Sequence, residues 1–121
     1  MKHTEGFLKL VNDAKSRIRE VSIEETQRRL VADQPATLID VREDREWEAG
    51  HAQSAQHLGK GIIERDIETQ IPDKTTEMIL YCGGGYRSAL AADALQKMGY
   101  TNVFSMAGGW KAWKGSGAPV E

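Results

Sequence analysis

Short apolar runs alternate with charged stretches of helical period along this chain. Runs at Glu20-Val21, Thr37 to Val41, Gln56-His57-Leu58, Glu77 to Cys82 and Asn102 to Ser105 read as strands. Between most of them, apolar positions return every three or four residues, as one face of a helix requires. Ser22 and Glu25 form a capping box before a helix running towards Leu30 and Val31. Gln34-Pro35 stops that helix, because a residue before proline is pushed out of helical backbone. Asp44 is placed to cap a short helix ending at Gly50. Ile63, Ile67 and Ile71 mark a further helix face with Pro72 after it. Ser88 to Met98 reads as helix, with Leu90, Ala91, Ala94, Leu95 and Met98 inward and Gly99 as terminator. Strands alternating with helices predict an α/β fold with a parallel sheet. In such sheets ligands bind at the carboxyl ends of the strands, where Cys82 and Asp40-Val41-Arg42 emerge.

Ahead of this pattern, Phe7, Val11, Ala14 and Ile18 form an apolar stripe on an N-terminal helix. It is expected to pack on the domain rather than bind a partner. The organisation is thus a helix over residues 1–19 on one α/β domain over residues 20–121. A chain of 121 residues can bury its own core without staples. With 16 basic and 18 acidic residues the formal charge is −2, which offers no electrostatic reason for a nucleic-acid or anionic-membrane partner. The single cysteine excludes an internal disulfide and a cysteine-rich zinc site, and suits a reducing compartment. Met1-Lys2-His3-Thr4-Glu5-Gly6 leads into a charged amphipathic stretch, without a secretory signal or membrane span, so the expected location is cytoplasmic. His3, His51 and His57 lack metal-ligand spacing and read as solvated or locally hydrogen-bonded, so no metal is predicted. Trp47, Trp110 and Trp113 read as core and lid aromatics.

The candidate chemistry lies in Tyr81-Cys82-Gly83-Gly84-Gly85-Tyr86-Arg87-Ser88, between an apolar strand and a helix. Three successive glycines cost backbone entropy and leave bare backbone for close approach of a ligand. Amides of such a turn can converge on one point, and the first amides of the next helix add donors and a positive dipole end. That field favours the thiolate of Cys82, the nucleophilic form. Arg87 adds a fixed charge and a planar fork suited to sulfonate, phosphate or carboxylate oxygens, against the alternative of a surface ion pair. Tyr86 reads equally as a cover for the loop or a border of the entrance. Ser88 reads first as a helix cap and second as a hydrogen-bond partner of the sulfur or a bound anion. Asp40 and Arg42, two apart, share a side of an extended strand and are read as a brace for the active loop.

Cys82 to Ser88 resembles the active-site loop of rhodanese domains, the sulfurtransferases that carry a persulfide on cysteine. Leu38-Ile39-Asp40-Val41-Arg42-Glu43, Glu46-Trp47 and Gly50-His51 resemble the first half of the family pattern, in order. Ser54-Ala55-Gln56-His57-Leu58 and Met106-Ala107-Gly108-Gly109-Trp110-Lys111-Ala112-Trp113 resemble its middle and end. The likeness spans about Val21 to Gly117. A common family form has Ile-Pro-Gly-Ala where this chain reads Ala52-Gln53-Ser54-Ala55. The resemblance implies a three-layer domain and a ping-pong sulfurtransferase without cofactor. Its donor would be thiosulfate or a persulfide, its acceptor a thiol or cyanide, and a protein sulfur carrier a further partner. It also implies that Cys82 is catalytic and that Gly83, Gly84, Gly85, Tyr86, Arg87 and Ser88 hold the anion and persulfide.

Two other readings use the same residues. A cysteine phosphatase or arsenate reductase employs a thiolate, an amide cradle and an arginine, but has one residue more than the four between Cys82 and Arg87. The tighter loop favours a persulfide sulfur over a tetrahedral phosphate. A silent binding module of the rhodanese type is the third reading, against which the presence of both Cys82 and Arg87 argues.

Overall fold

The computed structural model describes residues 2–121. The apolar runs form β1 (Arg19–Val21), β2 (Thr37–Asp40), β3 (Gln56–His57), β4 (Met78–Tyr81) and β5 (Val103–Met106), all paired in parallel in the order β1-β5-β4-β2-β3. The helices are α1 (Glu5–Lys15), α2 (Ile23–Leu30), α3 (Asp44–Glu48), α4 (Ile63–Gln70), α5 (Arg87–Lys97) and α6 (Gly109–Gly115). A parallel strand is covered on both faces, so successive side chains must find two separate apolar layers. In β4 Met78 and Leu80, continued by Cys82, join the layer of Ile63 and Ile67 from α4 and Ala91 and Leu95 from α5. Ile79 and Tyr81 join the opposite layer, with Trp113 of α6 and Leu30 of α2. Truncating one of these fully buried aliphatic residues to alanine costs roughly 2–5 kcal/mol.

Several local details differ from the sequence-based expectations, each for a visible reason. Ser22 Oγ accepts from the Glu25 N–H at 3.0 Å, but the Glu25 carboxylate turns to Arg28 and Arg29 at 2.8 Å each, so only half of the capping box forms. The chain is still extended at Glu43 (φ −74°, ψ 161°), which makes Glu43 the N-cap of α3 and Asp44 its first helical residue. Tyr86 takes the N-cap position of α5, so Ser88 sits inside the helix and its hydroxyl is free for other work. Along α5, Ala89 and Ala92 are fully buried with Ala91 and Leu95, while Leu90, Ala94 and Met98 are half-buried. Ala91, Ala92 and Leu95 face the sheet layer of Leu80 and Val103, with Met98 packed against it, and α1 also packs on α5. Val11 and Ala14 are buried, and Arg17 just beyond α1 reaches Asp93 of α5 at 2.7 Å. Trp113 is a core aromatic, whereas Trp47 is half-buried and stacks with His51 and with His57 at 3.5 and 4.9 Å.

The segment that departs from the Ile-Pro-Gly-Ala form is held by the end of the described chain. Ala52 and Val120 form an antiparallel bridge, and His51 and Glu121 exchange backbone hydrogen bonds at 3.0 and 2.8 Å.

Two features put the Cys82 loop in place. The chain leaves β2 towards β3 on one side and leaves β4 through α5 towards β5 on the other, which opens a crevice at their carboxyl ends. On its far side, the first amides of α6 reach the loop: Trp110 N–H donates to the Cys82 carbonyl at 2.7 Å and Lys111 N–H to that of Gly83 at 3.1 Å. This approach requires glycine at position 109, whose φ is +54° and where a Cβ would collide with the Cys82 carbonyl oxygen. Gly109→Ala is therefore expected to lower the unfolding free energy by more than about 2 kcal/mol, read by urea denaturation. An unchanged midpoint would contradict this packing.

Candidate active site

Cys82 follows β4 directly, with 1% of its surface exposed, and its sulfur lies under a turn of amides. Gly85 N–H donates to Sγ at 3.2 Å and Ser88 N–H at 3.4 Å. Gly85 makes this possible with φ +98°, a left-handed conformation that turns its N–H inward. Ser88 Oγ stands 3.5 Å from the sulfur and 2.8 Å from Ser105 Oγ, both serines fully buried. With the thiol intact the sulfur donates to Ser88; once the proton is gone, the Ser88 hydroxyl can donate back, with Ser105 supplying its own proton to Ser88. Burial pushes the Cys82 thiol up, but the Ser88 hydroxyl and the amides of Ser88, Gly84 and Gly85 together outweigh it, and the net shift is downward. The site can hold a buried thiolate.

Arg87 begins α5 and lies beside the loop, its guanidinium close to Gly83. It forms a bidentate pair with Glu46 of α3 at 2.8 and 3.1 Å, which bridges the crevice between the ends of β2 and β4. The Arg87 guanidinium is the main cause that holds the Glu46 carboxyl down to about 2, and Glu46 in turn raises Arg87. Because the folded value is depressed, the stabilisation from this pair is present above the ordinary carboxylate range and fades as pH falls towards about 2. Its guanidinium can still offer the remaining N–H groups to an anion in the pocket.

Asp40 and Arg42 meet as a buried pair. Arg42 Nε and Nη2 donate to the Asp40 carboxylate at 2.8–3.1 Å, and Nη2 also donates to the Gly50 carbonyl at 2.7 Å. The Arg42 guanidinium stacks over Trp110 at 4.7 Å, and Trp110 is the residue whose amide holds the Cys82 carbonyl. Asp40 and Arg42 thus touch the loop through Trp110. His57 Nε2 is 2.9 Å from the Arg42 carbonyl and His51 Nδ1 is 3.1 Å from that of Ala52, both local hydrogen bonds. Among the described residues no group of three or more His, Cys, Asp or Glu is placed to hold a metal, and no helix is long and apolar enough to cross a membrane.

The sulfur lies at the floor of a cavity of about 1200 Å³. Gly83, Gly84, Tyr86 and Arg87 line it from the loop, Glu46 from α3, and Lys2, His3, Thr4 and Phe7 from the N-terminal segment. Tyr86 therefore borders the entrance. Sequence reasoning assigned no site role to Glu46 or Ser105, and it read Phe7 as a packing residue and His3 as solvated or locally hydrogen-bonded, whereas both of the latter line the cavity. Glu46 had one local signal, as its carboxylate accepts the Glu43 N–H at 3.1 Å at the start of α3.

The model of the family described as "Rhodanese-like domain" matches residues 22–116. A putative sulfurtransferase of Bacillus subtilis is 35% identical over 102 residues, covering 84% of this chain and 96% of its own. A thiosulfate sulfurtransferase of Actinobacillus pleuropneumoniae is 33% identical over 97 residues, 76% of this chain and 83% of its own. Among solved structures, a Rhodopseudomonas palustris protein of unknown function, described as a possible tyrosine phosphatase, superposes with a TM-score of 0.84 at 28% identity. That likeness covers 100% of this chain and 98% of the other. Similar rhodanese-like domains include one from Anabaena, at a TM-score of 0.76 and 25% identity over 84% of this chain and 77% of its own.

Ser88→Ala is expected to raise the pH at which Cys82 becomes reactive, since it removes the hydroxyl that offsets burial. Iodoacetamide alkylation rates measured against pH report this. The unsubstituted protein should show its inflection below that of a free thiol, and an identical curve for the variant would remove Ser88 from thiolate stabilisation.

Proposed function

The chain belongs to the rhodanese-like domain family, and from that premise we propose that it is a sulfurtransferase carrying sulfur as a persulfide on Cys82. The observation that carries this reading is the convergence of the Gly85 and Ser88 amides on a buried sulfur with Arg87 beside it. With thiosulfate as donor, the Cys82 thiolate attacks the outer sulfur. The new S–S bond forms as the old one breaks, and sulfite leaves with the electron pair of that bond. Charge is conserved, because the persulfide takes over the anion of the thiolate. Arg87 and the loop amides hold the sulfonate oxygens as charge gathers on the leaving sulfite. The terminal persulfide sulfur can then accept the amides until cyanide, a cellular thiol or a protein sulfur carrier removes it and returns the thiolate. These steps draw on residues of the chain and call for no cofactor.

A second reading has a specific observation behind it, the structural likeness to a possible tyrosine phosphatase over the whole chain. Against it stands the loop, with four residues between Cys82 and Arg87 and a fully buried sulfur drawn tight against the amides of Gly85 and Ser88. That ring is suited to one added sulfur atom better than to a phosphoryl group with its equatorial oxygens.

Thiocyanate formation from thiosulfate and cyanide tests the mechanism, and parallel double-reciprocal lines are its ping-pong signature. Cys82→Ala should abolish turnover while leaving the fold intact; residual turnover at the original rate would remove Cys82 from the chemistry. Arg87→Ala should lower kcat/KM for thiosulfate by roughly ten-fold or more, from the loss of charge-assisted hydrogen bonds of about 1.5–3 kcal/mol. Unchanged kinetics would place Arg87 outside the donor site.

A further inference from the structure

The cavity over Cys82 is larger than a small inorganic anion needs. At about 1200 Å³ it reaches the scale of sites that take organic ligands, roughly 300–1,000 Å³. One wall is aromatic and comes from two distant parts of the chain. His3 lies 4.3 Å from Tyr86 of the loop, Phe7 5.3 Å from His3, and Phe7 and Tyr86 are 6.3 Å apart, all three pairs with tilted rings. Lys15 sits 5.2 Å over the Tyr86 ring, which keeps that ring anchored to α1. All three residues are half-buried and all three line the cavity. Both His3 and Phe7 precede residues 22–116, the span the family model describes. The α1 segment is held on α5 by buried Val11 and Ala14 and by the Arg17–Asp93 pair, so the wall has a fixed position.

Resting on the sulfurtransferase reading, we propose that His3, Phe7 and Tyr86 form a specificity wall that selects organic sulfur compounds with a flat apolar group near the reacting sulfur. A donor of this class places its anionic head on Arg87 and the loop amides and its ring or chain against the aromatic wall. Such offset and edge-to-face contacts favour planar groups over compact, fully hydrated ones. Thiosulfate has only the anionic head and leaves the wall unused. An aromatic thiosulfonate reacts by the same electron flow, its outer sulfur passing to Cys82 while the sulfinate leaves with the bonding pair.

The experiment measures protection of Cys82 from iodoacetamide by two inert sulfonates, benzenesulfonate and methanesulfonate, in the full chain and in Phe7→Ala and His3→Ala. It is paired with kcat/KM for benzenethiosulfonate and thiosulfate. Benzenesulfonate should protect at least five-fold more tightly than methanesulfonate, and each variant should shrink that ratio. The kcat/KM ratio of benzenethiosulfonate to thiosulfate should fall in step. His3 precedes α1, so His3→Ala keeps the measurement informative if Phe7→Ala lowers stability. Equal protection by the two sulfonates, or a preference that survives both variants, overturns the wall. Preferential protection without any sulfur transfer leaves the wall standing and overturns the sulfurtransferase reading instead.

Discussion

The site depends on one backbone constraint: the loop after β4 must turn its amides towards a buried sulfur and its carbonyls away. A buried sulfur anion is costly unless hydrogen-bonded, and Cys82 meets that cost with the amides of Gly85 and Ser88 and the Ser88 hydroxyl. Carbonyls turned outwards need donors of their own. The first amides of α6 supply them, at 2.7 Å to Cys82 and 3.1 Å to Gly83. Gly85 and Gly109, both at positive φ, are the positions that let these two sets of contacts coexist.

Around that loop the sheet acts as a positioning device. The order β1-β5-β4-β2-β3 sends the connections from β2 and β4 apart, and the Arg87–Glu46 pair spans the gap between the segments that follow them. The buried Asp40–Arg42 pair works one layer further out. Arg42 holds the Gly50 carbonyl and lies flat on Trp110, whose amide grips Cys82. Breaking a buried pair by removing one partner leaves an uncompensated charge, at a cost of about 3–5 kcal/mol. A lost brace would therefore reach the sulfur through a change in loop position.

The order of strands and helices was legible because apolar runs and helical periods are local, and the strands run within a residue or so of where the pattern put them. The candidate site was legible for a similar reason, since glycines, arginine and serine surround Cys82 in a single short stretch. Ser88 shows where local rules fail. A serine near a helix start reads as a cap, but Tyr86 occupies that position and Ser88 turns inward to the sulfur and to Ser105. The Glu46–Arg87 contact joins residues 41 positions apart, and no local pattern reports such a pair. His3 and Phe7 were hidden likewise: an amphipathic stripe shows that α1 packs, but the cavity it walls exists only once α1 lies on α5.

The central claim is that Cys82 accepts and holds one sulfur atom. Intact mass of the reduced, desalted protein, recorded before thiosulfate, after it, and again after cyanide, addresses this most directly. A persulfide cycle predicts the gain of one sulfur, its discharge by cyanide, and no gain in Cys82→Ala. A mass unchanged by thiosulfate and by an organic persulfide donor, or a gain that persists in Cys82→Ala, would contradict it.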